Sequence, residues 1–417
     1  MCPKIQITAK GIRRALSRYT PYQSLAEYIW NGFDAQASEI KISYVANEIG
    51  NIESINISDN GYGIIHGRLQ EKFEPVFESK KAGENKQKNQ SAVHGKNGTG
   101  RLTFFCFARN AVWKTVYPEN ENCWTYEIYS NAENINLYTG INALPRKTEE
   151  LPGTTVTFSG IHGITAPQLE EKFREFLLKE FSWFLALNEK RNFYISINGV
   201  AIDHRENVAD IDEFAVNHEK SGTEFNIRYI RWKEKHPNES SSYYYLNSLN
   251  KECWKENSPI QNKGEKFYHS IFIQSPYFDS FAFQSDELAQ EPLLEGTRRD
   301  SQFRHLRRKL ANYLRIKRRP FLKDFAEKLI QEYELANIFS KDIQGEEKSK
   351  LSAAAKTLYE MQPRLFSSLN TDQKKMLMGM FGLIIKSNQI EKLPDFFNEL
   401  IELNKEERQE LEKIFKA

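Results

Sequence analysis

Three polar residues in the run EYIWNGFDA have a spacing that could do chemistry: Glu27, Asn31 and Asp34. On a helix of about 100° per residue they fall within roughly 60° of one another, on one narrow face. Leu25, Ile29 and Phe33 then lie on the other faces, suited to packing under a sheet. Alone, such a face is an ordinary solvated one. A second group, Asp59-Asn60-Gly61-Tyr62-Gly63, ends a strand-like run. A carboxylate at that place can accept a hydrogen bond from an exocyclic amine, and glycines let the backbone approach a flat ring. Alone, it is a turn signal. A third group is His94-Gly95-Lys96-Asn97-Gly98-Thr99-Gly100, running into the apolar stretch RLTFFCFA. Backbone N–H groups at such a helix start can cradle phosphates. No GK[ST] follows Gly100, so this is not a Walker loop, and a long polar segment rather than a first βαβ strand precedes it, which excludes a dinucleotide fingerprint. A fourth group, Gly153-Thr154-Thr155-Val156, opens a strand and offers the Thr154 hydroxyl to the same base-reading set.

The elements that must position these residues can be read from period and punctuation. Thr20-Pro21-Tyr22-Gln23 is a helix start, with Thr20 as cap, Pro21 at the first helical position and Gln23 completing a capping box. The helix is expected to run to about Ala37. The period then changes to two over Ile40, Ile42 and Tyr44, and again at Ile55 and Ile57, giving two strands with a turn near 48–51. Residues 64–97 are polar and lysine-rich and read as a mobile surface segment. Strands are expected over 111–117, 124–129 and 154–159, a helix over 167–187, and a strand over 193–197 leading into an Asn198-Gly199 turn. Between 190 and 290 the runs FNIRYIRW, SYYYLNS and YHSIFIQ read as strands of a second α/β domain. From about Asp300 the chain becomes helical and basic, and 350–417 reads as four or five amphipathic helices.

In order and spacing, EYIWNGFDA, DNGYGI, GKNGTGRLTF and GTTV together resemble the ATPases of the gyrase–chaperone–histidine kinase–MutL (GHKL) superfamily, which also holds the MORC proteins. The resemblance covers residues 5–160. It implies an α+β fold: a Bergerat-type ATP-binding α/β sandwich over residues 1–165, then a transducer-like α/β domain over 166–300, then a helical C-terminal region over 301–417. It implies ATP and Mg2+ as cofactors. Carried over residue by residue, Glu27 matches the general base that activates water, and Asn31 the asparagine that holds Mg2+ against the phosphates. Asp34 lies beside them. Asp59 matches the carboxylate that reads adenine, with Gly61 and Gly63 near the base. Gly95, Gly98, Thr99 and Gly100 belong to the lid hinge that contacts phosphates, and Thr154 matches the threonine near adenine. The second domain of such proteins supplies a basic side chain to the γ-phosphate; Lys263, Lys266, Arg298 and Arg299 are the candidates here.

The roles agree with the chemistry, since phosphoryl transfer needs positioning, charge neutralisation and an oriented nucleophile. No phosphoacceptor helix stands before the Glu27 helix and no His precedes His66, which argues against a histidine kinase. The glycine loop lacks the GFRGEAL form of MutL, and no strand-cleaving segment follows the second domain; a chaperone or MORC layout is the nearer one. The expected activity is ATP hydrolysis that drives a conformational switch or an ATP-dependent homodimer clamp. The layout suits a DNA-linked process or a multi-component system such as phage (antiviral) defence, with a protein partner. The rival reading is a non-catalytic ATP-gated module for nucleic acid or a partner protein. The basic stretch from Arg304 to Lys323 is the feature that could lie on a nucleic-acid backbone.

Composition narrows the class without deciding it. Of the 417 residues 40% are hydrophobic and 27% charged, an ordinary globular balance, and a net charge of +2 identifies no partner. Four cysteines, Cys2, Cys106, Cys123 and Cys253, form no CxxC or zinc-ligand pair. No apolar run reaches membrane-spanning length and MCPKIQITAKGIRRAL lacks the apolar core of a signal peptide, so a cytoplasmic location and no membrane partner are expected.

Overall fold

The structure is a computed structural model, and it describes residues 8–74, 99–140, 142–260, 266–283, 296–340, 342–367 and 369–387, with 409 and 413. The chain divides into two compact units, one of residues 1–258 and 268–298, the other of residues 259–267 and 299–417.

The first unit begins with α1 (Ala9–Leu16) and α2 (Pro21–Asp34). The capping box forms as read: Gln23 N–H donates to Thr20 Oγ1 and the Gln23 side chain receives the Thr20 N–H at 3.0 Å. Helix α2 stops at Asp34, three residues short of the expected end. Gln36 adopts φ +63°, and Asn60 Oδ1 accepts the N–H groups of Ser38 and Glu39 at 2.9 and 3.0 Å, so the turn into the sheet claims those residues.

An eight-stranded sheet follows in the order β5-β4-β3-β6-β2-β1-β7-β8. Its strands are β1 (Glu39–Ala46), β2 (Ile52–Asp59), β3 (Asn110–Glu119), β4 (Asn122–Asn131), β5 (Arg146–Thr148), β6 (Gly153–Ser159), β7 (Tyr194–Ile197) and β8 (Val200–Ala201). Only the β1–β7 pair in this sheet is parallel. Ile40, Ile42, Ile55, Ile57, Val156 and Phe158 are buried on one face, the alternation expected of a sheet covered on that side. The Asn198-Gly199 turn is as read, both residues having positive φ.

Two parts of the polar stretch and its exit differ from expectation. Within 64–97, α3 (Leu69–Phe73) forms and buries Leu69 and Phe73, because Phe73 finds the rings of Trp113 and Tyr138 at 5.5 and 5.3 Å. The remainder of that stretch, including Gly95 and Gly98, lies outside the described residues. The apolar run after Gly100 is a 3-10 helix, Gly100–Cys106, rather than an α-helix. The Tyr28 hydroxyl donates to Arg101 O at 2.7 Å and Thr103 Oγ1 donates to Gly100 O at 2.7 Å, which takes carbonyls that an α-helix would use.

A short helical lead-in, Ala166–Gln168 and a π-turn at Leu169–Phe173, opens α4 (Arg174–Leu187). This helix packs on α2: Phe181 lies 4.5 Å from Trp30 and 6.2 Å from Phe33, ring centroid to centroid, and Phe184 5.1 and 4.8 Å from the same two. A second sheet, order β12-β11-β13-β10-β9, is built of β9 (Val208–His218), β10 (Thr223–Trp232), β11 (Ser242–Leu246), β12 (Glu252–Asn257) and β13 (His269–Gln274). Its Tyr244 stacks on Trp183 of α4 at 5.8 Å, so α4 is the shared layer between the two sheets and one apolar core runs through it. A two-stranded pair, β14 (Phe281–Ala282) with β15 (Gly296–Thr297), closes the unit.

The second unit is helical: α5 (Ser301–Arg318), α6 (Lys323–Leu335), α7 (Gly345–Met361), α8 (Pro363–Ser367) and α9 (Thr371–Lys386). The last has the Asn370–Gln373 capping box. Leu351, Leu358, Met361, Met378 and Phe381 form its core. The expected helix after Asn404 lies outside the described residues.

The α2–α4 contact is the part of the fold most exposed to a single change. Phe181→Ala removes a fully buried ring between Trp30 and Phe33. A loss of about 3–5 kcal/mol in unfolding free energy is expected, measured by denaturant titration.

Candidate active site

Helix α2 lays out the site along its length. Near its middle, Glu27 sits against the start of the 3-10 helix, so closely that a Cβ on Gly100 would overlap Glu27 Oε2. A glycine is therefore needed at position 100 for contact, not for turning. One turn further, Asn31 is exposed and stands at the open surface of the helix. Next to it, Gly32 brings α2 down on the sheet: a Cβ there would come within 2.5 Å of Ile40 Cδ1 and 3.0 Å of Asp59 Cβ. From Glu27 to Gly32 is an axial rise of roughly 7–8 Å. The helix thus separates a Glu27 end from an Asp59 end, with Asn31 between them.

At the Asp59 end the sheet supplies the geometry. Asp59 is paired with Thr154 across the β2–β6 ladder. Its Oδ1 accepts the Gly61 N–H at 2.8 Å. Burial pushes its carboxyl up to about 6, against the hydrogen bonds from the Gly61 and Thr154 backbones that favour the charged form. Thr154 is buried and its hydroxyl shares a hydrogen bond with Thr115 Oγ1 at 3.0 Å, while Thr115 Oγ1 accepts the Ile64 N–H at 2.8 Å. Gly63 is required twice: its φ is +70°, and a Cβ would overlap Val116 O. A depression of about 250 Å3 lies at this end of the sheet, lined by Asp59, Asn60, Gly153 and Thr154 with Lys41 and Lys114; Glu27 and Asn31 do not line it.

At the other end the chemistry is that of a base. Burial pushes the Glu27 carboxyl up to about 7, helped by the negative charges of Glu180 and Asp34 and opposed by a hydrogen bond from the Tyr19 hydroxyl. Tyr19 also hydrogen-bonds the side chain of Thr99, itself buried. A carboxylate tuned near neutrality can take a proton from water at physiological pH. Asn31 offers one amide oxygen, and among the described residues no group of His, Cys, Asp or Glu could hold a metal by itself. A single amide oxygen suits Mg2+, which keeps several waters and takes its other oxygens from a phosphate chain.

The structure therefore brings Thr99 and Gly100 to Glu27, and Asp59, Gly61, Gly63 and Thr154 to one another, around the helix that carries Glu27, Asn31 and Asp34. Gly95, Gly98 and Lys263 lie outside the described residues. Arg298 is engaged by Glu256 at 3.3 Å and lies 5.5 Å over the Trp254 ring. Lys266 and Arg299 belong to the helical unit. Three contributors escape the sequence reading. Gly32 carries a signal, as a glycine inside a helical run marks close packing. Tyr19 and Glu180 act through contacts distant along the chain, although a lone carboxylate in FLLKEFSWFLAL is itself a flag.

Residues 19–151 match the family model described as "Histidine kinase-, DNA gyrase B-, and HSP90-like ATPase". Over these residues, about a third of the chain, the protein is similar to the GHKL ATPases. Similar solved structures include the ATPase region of Saccharomyces cerevisiae topoisomerase II bound to ICRF-187 (dexrazoxane), at 13% identity and TM-score 0.34, covering 61% of this chain and 73% of that one. A second structure of the yeast region aligns at 12% identity and TM-score 0.32, covering 61% of this chain and 72% of that one. The search of curated proteins returned no match. Among the described residues no helix is long and apolar enough to cross a membrane.

The raised carboxyls fix a sign for stability against pH. Glu27 and Asp59 bind protons more tightly folded than unfolded, so each contributes stability that is present below its unfolded value and is lost as pH rises through its folded value of about 7 and about 6. Glu27→Gln is expected to gain stability over the wild type, more at pH 8 than at pH 5. Urea unfolding at the two pH values checks this.

Proposed function

We propose that this chain is a Mg2+-dependent ATP hydrolase in which Glu27 is the base, Asn31 holds the metal and Asp59 reads adenine. The observation that carries the reading is the placement of a carboxylate tuned to about 7 on the same helix as Asn31, five residues from the glycine that seats the helix on Asp59. Asp59 has Oδ1 turned to the Gly61 N–H. Its other oxygen accepts the exocyclic amine of adenine, and the Thr154–Thr115 hydroxyl pair lies beside it for the ring nitrogens. Asn31 would hold Mg2+ against the phosphate chain, and the metal when bound would supply positive charge to offset that developing on the phosphoryl oxygens. Tyr19 and Gly100 fix the Glu27 carboxylate, which takes the proton of the attacking water; Thr99 holds Tyr19 in turn.

Nucleotide binding promotes pairing of two chains through the ATPase domain; hydrolysis and release of phosphate reverse it. Such a cycle serves a conformational clamp, with the second sheet and the helical unit as its output. A DNA-linked role, or a protein partner within a defence system, is proposed from the general layout alone. The reading is also tied to the domain division of 1–165, 166–300 and 301–417, in which the five-stranded sheet is the transducer.

Two variants test the assignment in one assay. Glu27→Ala should keep ATP affinity within a few-fold and lower turnover by about 100-fold or more. Asp59→Asn should weaken ATP binding by about tenfold or more, since an amide presents a donor where the adenine amine needs an acceptor. Calorimetric binding and phosphate release read the two separately. Equal turnover by wild type and Glu27→Ala would remove Glu27 as the base. Binding with no turnover in the wild type would leave the ATP-gated module as the function.

A further inference from the structure

Glu180 of α4 is 4% exposed, and no lysine or arginine is among the groups that bind it or shift it. Its carboxylate is held instead by two neutral donors. Trp30 Nε1 donates to Oε1 at 3.3 Å, and Asn238 Nδ2 donates to Oε1 and Oε2 at 3.0 and 3.2 Å. A buried carboxylate without a cation is costly, and an apolar side chain would fill the position at less cost. Its presence therefore calls for a use beyond packing.

The two donors come from different layers of the fold. Trp30 belongs to α2, three residues from Glu27 and thus its neighbour on the helix surface. Asn238 belongs to the segment 233–241 that joins β10 to β11 of the second sheet. That segment is fastened to α4 at two consecutive residues. His236 Nδ1 donates to Lys179 O at 2.6 Å, and the side chain is buried and edge-on to Trp232 at 4.8 Å. The carbonyl can only accept, so Nδ1 carries the hydrogen. Asn238 then binds Glu180. Glu239, next in the chain, is anchored in the second sheet by Lys255 Nζ at 2.6 Å and the Tyr244 hydroxyl at 2.9 Å.

We propose that Glu180 is a positioning residue for Glu27, through which the segment between β10 and β11 acts on the helix that carries the base. The proposal rests on the reading of Glu27 as that base. The groups that face Glu27 are Tyr19, Asp34 and Glu180, with Gly100 against Oε2. Those that face Glu180 are Trp30, Asn238, Glu239 and Glu27. Among these, Asn238 is the contact from the second sheet that favours a charged Glu180, and a charged Glu180 makes Glu27 hold its proton more tightly. Withdrawal of the segment leaves Glu180 easier to neutralise and Glu27 a weaker base. Through the charge of Glu180 the state of the second sheet thus reaches the basicity of the site.

The test uses the full chain and two variants. Glu180→Gln keeps an acceptor for Trp30 and removes the charge. Asn238→Ala changes an exposed residue and leaves Glu180 in place. The Glu27 carboxyl is titrated by 13C NMR without nucleotide, its signal assigned through Glu27→Gln, and turnover is measured against pH in parallel. The expected result is a Glu27 midpoint lower by roughly half a unit or more in Glu180→Gln, and lower by less in Asn238→Ala. The acidic limb of turnover should move the same way, with plateau kcat down about threefold and ATP affinity unchanged. A loss of packing alone would not lower that midpoint. An unmoved midpoint in both variants overturns the proposal whatever the turnover does; should Glu180→Gln not fold, Asn238→Ala decides alone. A lowered midpoint in a wild-type background that shows no turnover upholds the Glu180–Glu27 link and removes hydrolysis instead.

Discussion

Helix α2 has to be dry on most of its surface and still present a carboxylate and an amide to a ligand. Leu25, Ala26, Tyr28, Ile29, Trp30, Gly32 and Phe33 are all buried, between the eight-stranded sheet on one side and α4 on the other. Past the first turn, only the strip with Glu27, Asn31 and Asp34 is left. Everything else in the site follows from that clamping. Gly32 lets the helix touch the end of β2, so Asp59 and α2 share one end of the site. Gly100 lets the 3-10 helix touch Glu27. Trp30, inserted between α2 and α4, holds the helix at the height where both contacts are made.

The same clamping explains the electrostatics. A carboxylate on an isolated surface helix would titrate near the usual acidic range; here partial burial and the charges of Glu180 and Asp34 raise Glu27 to about 7. Asp59 is raised by burial but less far, to about 6, because two backbone donors favour its charged form. The two acids thus differ through their surroundings, not their type, and the difference suits the two roles proposed for them: one to take a proton, one to stay charged and accept a hydrogen bond.

Much of this was legible in the sequence because it is local. The Thr20–Gln23 capping box, the period-two strands β1 and β2, the Asn198-Gly199 turn and the four motif groups each depend on residues a few positions apart. What was not legible depends on distant partners. The 3-10 form of residues 100–106 is set by the Tyr28 hydroxyl, far back in the chain. Helix α3 exists inside a polar stretch because Trp113 and Tyr138 receive Phe73. The end of α2 is set by Asn60, which claims the N–H groups of Ser38 and Glu39. Glu180 reads as one of four charged residues of α4, and only the fold puts it beside Trp30 and near Glu27.

Charge balance gives the last constraint. The described parts of the site are acidic: Glu27, Asp34, Asp59 and Glu180 lie on or around α2, and Arg101, whose guanidinium is pulled down to about 10 by burial, is tied to Phe73 O at 2.6 Å. A triphosphate brought to such a surface would be repelled unless positive charge came with it. In the proposed reading a metal held by Asn31 would supply part of that charge. The sequence also carries Lys80, Lys81, Lys86, Lys88 and Lys96 between α3 and Gly100, outside the described residues. In the proposed cycle nucleotide affinity then depends on the positive charge that arrives with the ligand, and loss of the γ-phosphate, with its negative charge, weakens that hold.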